Sequence, residues 1–286
     1  VFLPKRLFKK DADSELDQAV RAANPRLYLY DDFDPGADKI LVVGMPGWGG
    51  RSENFIHILI NGLKGSGASR RLVIAAIQDP ATGGPQNHGQ GAREHANVWT
   101  LDRDSVAAMR RFVAKLAAKL GPGTLRVYLF GFSSGGIAAP VVATKIARWT
   151  RADPYIVEGS IVMGTGSRIW GGTLKAKKQR LLFVVVPPRL PEDKEAMRDD
   201  QRNRKVATRS YQRLKKAGAD VELRHIHSAK RHVDWHWGLI SQCRYFRTKR
   251  IDPGRGYWPN YWMPNPETMA YIAAFVQGKP VPKKAA

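Results

Sequence analysis

The run Leu125-Arg126-Val127-Tyr128-Leu129-Phe130, continuing without a break into Gly131-Phe132-Ser133-Ser134-Gly135, constrains this chain more than any other feature. An apolar run of strand length with one charged residue is built for burial in a sheet. The small-residue stretch from Ser134 to Trp149 reads as a helix, which places the glycines at a strand-to-helix corner. There they have a steric use, because glycine lets neighbouring backbone pass close to a residue held in a strained conformation. Two glycines around a serine arise often by chance, and a structural Gly-Ser turn is the plain alternative. The strand before and the helix after give the pattern its weight, since that setting raises a serine hydroxyl above a sheet edge. Pro140 lies inside the expected helix and predicts a kink there, through loss of a backbone hydrogen bond.

Similar apolar runs recur along the chain. Lys39-Ile40-Leu41-Val42-Val43-Gly44 and Arg71 to Ala76 read as buried strands, the first leading into Gly-rich sequence. Further strands are expected near Gly159 to Met163, Leu181 to Val186 and Val221 to Ile226. Between Leu101 and Leu120 the residues Val106, Met109, Phe112, Val113, Leu116 and Leu120 follow helical spacing, with Asp102 and Asp104 at the start and Gly121-Pro122-Gly123 at the end. Arg204 to Ala217 reads as a helix closed by Gly218, and a last helix is expected near Pro266 to Val276. Alternating strands and helices predict an α/β fold, a mainly parallel central sheet with helices on both faces. Residues 1–286 are expected to form one domain, with an irregular aromatic-rich segment at about 245–266.

The chain carries 47 Lys plus Arg against 25 Asp plus Glu, a formal charge of +22 that should attract polyanions. Its basic residues, among them Lys9, Lys10, Arg202, Arg204, Lys205, Lys230 and Arg231, are dispersed and accompany no nucleic-acid-binding motif. A solvated basic surface is the reading adopted, and nucleic acid is not the expected ligand. No apolar run reaches the roughly 20 residues of a membrane helix, so no transmembrane segment is expected. Val1 to Arg6 lacks the apolar core of a signal peptide; removal of an upstream segment, with a secreted or periplasmic location, is the expectation, and a cytoplasmic location is the alternative. The single Cys243 has no internal disulfide partner and reads as a buried apolar residue.

A serine nucleophile needs a base, and the base needs an acid to orient it. At these residues the chain resembles the α/β-hydrolase family, in its dienelactone-hydrolase-like, esterase-like or polyester-depolymerase-like branches. The resemblance implies the chain order nucleophile, acid, histidine, with the last two following late strands. Ser133 is then the nucleophile, and His232, in the segment after the Val221 to Ile226 strand, occupies the position of the family's histidine. His225 and His227 precede it in or beside the strand, and His236 is its nearest competitor. Asp193 follows the Leu181 to Val186 strand at a family-like distance, although Pro187-Pro188 replaces the usual approach. Glu192, Asp199 and Asp200 are the alternative acids.

By the same resemblance Ser134 N–H is one oxyanion donor. The loop Val43-Gly44-Met45-Pro46-Gly47-Trp48-Gly49-Gly50 is similar to the family's His-Gly oxyanion loop with Pro46 in place of the histidine, which nominates Trp48 N–H as the second donor. His88 and Trp99, in and beside the Gly-rich stretch Gly83 to Asn97, are candidate substrate contacts, with plain surface placement as the alternative. Tyr257, Trp258, Tyr261 and Trp262 are a candidate binding platform or a flap over the core.

The implied activity is carboxylic ester hydrolysis through a Ser-His-Asp triad and an acyl-enzyme, with no cofactor and no metal. His232 and His236 would share a helical face, but nothing else in the sequence completes a zinc motif. The expected partner is an ester substrate, with an anionic or polymeric envelope component as a candidate. The alternatives are a peptidase or thioesterase of the same fold, or a non-catalytic polyanion-binding protein; the oligomeric state is open.

Overall fold

The computed structural model describes residues 25–47, 52–64, 66–79, 101–147, 154–167, 171–185, 194–226 and 266–282, together with 20, 23, 99 and 169. Seven strands form one sheet: β1 (Arg26–Leu29), β2 (Lys39–Met45), β3 (Leu72–Ala76), β4 (Leu125–Phe132), β5 (Tyr155–Met163), β6 (Arg180–Val185) and β7 (Val221–His225). Their order is β1-β3-β2-β4-β5-β6-β7. β1 pairs antiparallel with β3, and every other pairing is parallel. The α/β class and the mainly parallel sheet expected from the sequence are therefore present.

The apolar runs that predicted strands are unbroken because both faces of the sheet are covered. Alternate residues of one strand serve opposite cores. Ile40 and Val42 of β2 join Tyr128 and Phe130 of β4 beneath α1 (Ser52–Leu63) and the last helix. Leu41 and Val43 join Val127 and Leu129 on the other face, beneath α2 (Arg103–Lys119) and α3 (Ser134–Ile146). That second face continues under α5 (Lys194–Lys216), where Phe183, Val185 and Leu214 meet. The short α4 (Gly171–Ala176) adds Leu174 there. α6 (Pro266–Val276) supplies Tyr271, Ile272 and Phe275 to the first face.

Asp102 caps α2, its carboxylate accepting from Ser105 N at 2.6 Å, one of the donors a helix start leaves unpaired. Pro140 lies within α3, which runs from Ser134 to Ile146 as one helix, ending before the predicted Trp149. α5 begins ten residues before the expected Arg204, because its first half lacks the apolar spacing by which the helix was read. The aromatic segment at 245–266 lies outside the described residues except for Pro266. Among the described residues, no helix is long and apolar enough to cross a membrane.

The half of the sheet farthest from β1 is tied by charge. Arg180 of β6 donates to Glu222 of β7 at 3.1 Å and to the Phe275 carbonyl of α6 at 3.2 Å, with its guanidinium over the Phe275 ring. Arg224 closes on Glu222 at 2.7 Å and on the Pro282 carbonyl at 2.8 Å. On β4 and β5, Arg126 donates to Glu158 at 3.1 Å and to the Tyr128 hydroxyl at 3.1 Å. Burial pushes the Tyr128 phenol up against the opposing pull of Arg126.

Candidate active site

At the end of β4 the backbone makes the sharp corner read from the sequence. Ser133 has φ 53° and ψ −119°, a left-handed conformation that costs a non-glycine residue on the order of 1–3 kcal/mol. Its surroundings hold it there: Ser133 N donates to the Met163 carbonyl of β5 at 3.0 Å, and Ile137 N donates to the Ser133 carbonyl at 3.1 Å.

The flanking glycines are required by backbone contact rather than by their own torsions. A Cβ at Gly131 would lie 2.1 Å from the Gly135 carbonyl oxygen, and one at Gly135 would lie 2.1 Å from the Met45 carbonyl oxygen at the end of β2. Gly136 has the methyl of Thr165 at 2.9 Å from its Cβ position. The elbow is thus wedged between the ends of β2 and β5. A strained serine at the carboxyl end of a central parallel strand opens a helix there, in a sheet flanked by helices on both faces. This is the α/β-hydrolase fold.

The loop after β2 comes directly against the elbow, since a Cβ on Gly47 would fall 2.9 Å from the Phe132 carbonyl oxygen and 3.0 Å from Ser133 Cβ. Only a residue without a side chain lets the two backbones come so close. The loop is also fastened from outside: Trp99, buried at 6% exposure, donates its indole N–H to the Pro46 carbonyl at 3.3 Å.

Beyond β3 the buried Asp79 accepts from Ser105 Oγ at 3.2 Å, and Gln78 N donates to the Ala23 carbonyl at 2.9 Å. Asp79 and Ser105 escaped the sequence reading because neither stands in a motif, and their meeting depends on α2 crossing the end of β3. Gly47 was legible as part of a Gly-rich loop, but its contact with Ser133 was not. The Ser134 hydroxyl is buried with no hydrogen-bond partner among the described residues.

Of the nominated residues, Ser133, Ser134 and Trp99 are described. Trp48, His88, Asp193 and His232 lie outside the described residues, as do Glu192 and His236. Asp199 and Asp200 fall within the helical span of α5.

No protein-family model matches the chain, and no curated sequence does. Solved structures do resemble it in shape. An esterase from the archaeon Pyrobaculum calidifontis is 13% identical over 92% of this chain and 90% of that one, with a TM-score of 0.49. A carboxyl esterase from Tuber melanosporum is 14% identical over 89% and 80%, with a TM-score of 0.48. A poly(3-hydroxybutyrate) depolymerase from Bordetella parapertussis is 15% identical over 86% and 98%, with a TM-score of 0.42. These are likenesses of shape alone.

Proposed function

We propose that the chain is a serine hydrolase acting on carboxylic esters, with Ser133 as its nucleophile. The observation that carries this reading is the strained elbow at Ser133, with Gly47 packed against its Cβ. Such strain persists only where the surrounding structure over-determines it, and it collects at functional sites.

In the proposed mechanism His232 takes the Ser133 Oγ proton as the oxygen attacks the ester carbonyl, while Asp193 orients the imidazole and stabilises its cation. The oxyanion of the tetrahedral intermediate accepts hydrogen bonds from Ser134 N–H and from a second N–H assigned to Trp48. His232 then returns the proton to the departing alkoxide. Water, deprotonated by the same imidazole, cleaves the acyl-enzyme and releases the acid.

Two features support this assignment. β5, β6 and β7 all run parallel to β4, so Val185 and His225, the strand ends that precede Asp193 and His232 in the sequence, lie at the same edge of the sheet as Ser133. Ser134 N opens α3, where backbone N–H groups and the helix dipole favour negative charge. Replacing Ser133 by Ala should lower kcat/KM on p-nitrophenyl acetate by at least a thousandfold and abolish labelling by a fluorophosphonate, with the melting temperature preserved. Undiminished turnover in Ser133→Ala would overturn the assignment.

A further inference from the structure

The second half of α5 carries chemistry that the elbow does not use. From Gln201 to Lys216 the sequence has seven Lys and Arg residues and no Asp or Glu. Arg202, Lys205 and Arg209 recur at spacings of three and four, so they share one helix face over about 10 Å. With Gln201 and Val206 they line a shallow, solvent-open groove on that face. Among the described residues no carboxylate pairs with any of the three cations. Val206, 40% exposed, gives the groove an apolar floor.

The groove is braced against the elbow through one short segment. A Cβ on Gly166 would meet Val206 Cγ1 at 2.4 Å, and Ser167 N donates to Ser210 Oγ at 3.1 Å. Arg213 fastens the same segment by donating to the Ser167 carbonyl at 2.9 Å. On its other side, Thr165 touches Gly136 of the elbow.

We propose that this groove holds carboxylate groups of an acidic polysaccharide whose ester is cleaved at Ser133; the substrate class rests on the serine-hydrolase reading. Three cations one helical turn apart suit a chain with repeated carboxylates, which guanidinium groups bind in bidentate fashion. Their exposure favours an extended polymer over a small enclosed anion. No aromatic ring is among the described groove residues, so the stacking surface that single-stranded nucleic acid uses is missing from that lining. The face has one apolar residue, too little to seat a helix in a membrane interface.

The test compares wild type, the groove variant Arg202→Gln/Lys205→Gln/Arg209→Gln, and a control of equal charge, Lys64→Gln/Lys119→Gln/Lys279→Gln. Acetate release is measured on acetylated polygalacturonate and acetylated xylan, alongside turnover of p-nitrophenyl acetate. The groove variant should lose at least tenfold in kcat/KM on the acidic polymer, chiefly through KM. It should stay within twofold on the other two esters, and the control should stay within twofold on all three. Polygalacturonate binding is measured separately by calorimetry, with each charge variant placed in the Ser133→Ala background. There the groove substitutions should weaken binding tenfold and the control should not.

Equal losses in groove and control variants, or none in either, would overturn the proposal, as would tighter binding of single-stranded DNA than of polygalacturonate at the same salt. Failure to turn over any ester would remove the serine-hydrolase reading and the substrate claim with it. The binding arm would still decide whether the groove holds the polymer.

Discussion

Gly135→Ala puts the wedge between β2 and the elbow to a quantitative test. The added Cβ would sit 2.1 Å from the Met45 carbonyl oxygen and 2.8 Å from both the Met45 carbonyl carbon and the Pro46 carbonyl oxygen. Ordinary carbon-to-oxygen contact begins near 3.3 Å, so roughly 1.2 Å of relief is required. Every neighbour named is backbone, and no flexible side chain can swing away. β2 is held by β3 and β4 on its two sides, which leaves the start of α3, carrying Ser133 and Ser134, as the part that moves.

Overpacking of this kind costs about 1–3 kcal/mol, and the better helix propensity of alanine returns somewhat under 1. At the upper end of that range, where every clashing neighbour is backbone, the net loss is about 2 kcal/mol and lowers the melting temperature of a chain this long by roughly 3 °C. A shift near 1 Å at a nucleophile costs on the order of a hundredfold in rate. The assay is kcat/KM on p-nitrophenyl acetate beside a calorimetric melting curve. Gly172→Ala is the control, since Gly172 lies in α4 with nothing within 4 Å of its Cβ position. It should leave activity unchanged and add about 0.5–1 kcal/mol of stability. A Gly135→Ala enzyme with activity within threefold of wild type and an unchanged melting temperature would refute the close packing of the elbow on β2.

Three further outcomes are expected. Trp99→Phe removes the donor to the Pro46 carbonyl while keeping an aromatic ring, and should lower kcat several-fold with a stability loss of about 1 kcal/mol, read from steady-state kinetics and thermal melts. Ser134→Ala should retain activity within about threefold and gain up to about 1 kcal/mol in urea unfolding, because the hydroxyl it deletes is buried without a partner among the described residues while the backbone N–H assigned to the oxyanion remains. Arg180→Met should cost about 2 kcal/mol through its lost bonds to Glu222 and the Phe275 carbonyl, with turnover of p-nitrophenyl acetate at 25 °C unaltered.

Much of the fold was legible because its signals are local. Buried parallel strands need apolar runs on both faces, so β2, β4 and β6 announced themselves, and the spacing of Val106, Met109, Phe112 and Leu116 marked α2. α1 was equally readable from the spacing of Phe55, Ile56, Leu59 and Leu63, yet it was not among the helices expected from the sequence. β1 has only four residues, with one buried, and no periodicity could have declared its antiparallel edge pairing.

The sequence by itself determined a serine at a strand-to-helix corner, since an apolar run of strand length precedes it and a small-residue helical stretch follows it. Tertiary structure alone decided that Gly131 answers to Gly135, Gly135 to Met45, and Gly47 to Ser133. Those requirements come from backbone atoms up to about ninety residues apart in the chain, and the sheet order that unites them is set by burial on both faces. The same holds for Trp99 beneath Pro46 and for the cations of α5, whose side of the sheet and distance from the elbow follow from how α5 docks on Gly166 and Ser167. Local pattern fixes which residues can occupy a corner; packing between distant segments fixes what the corner faces.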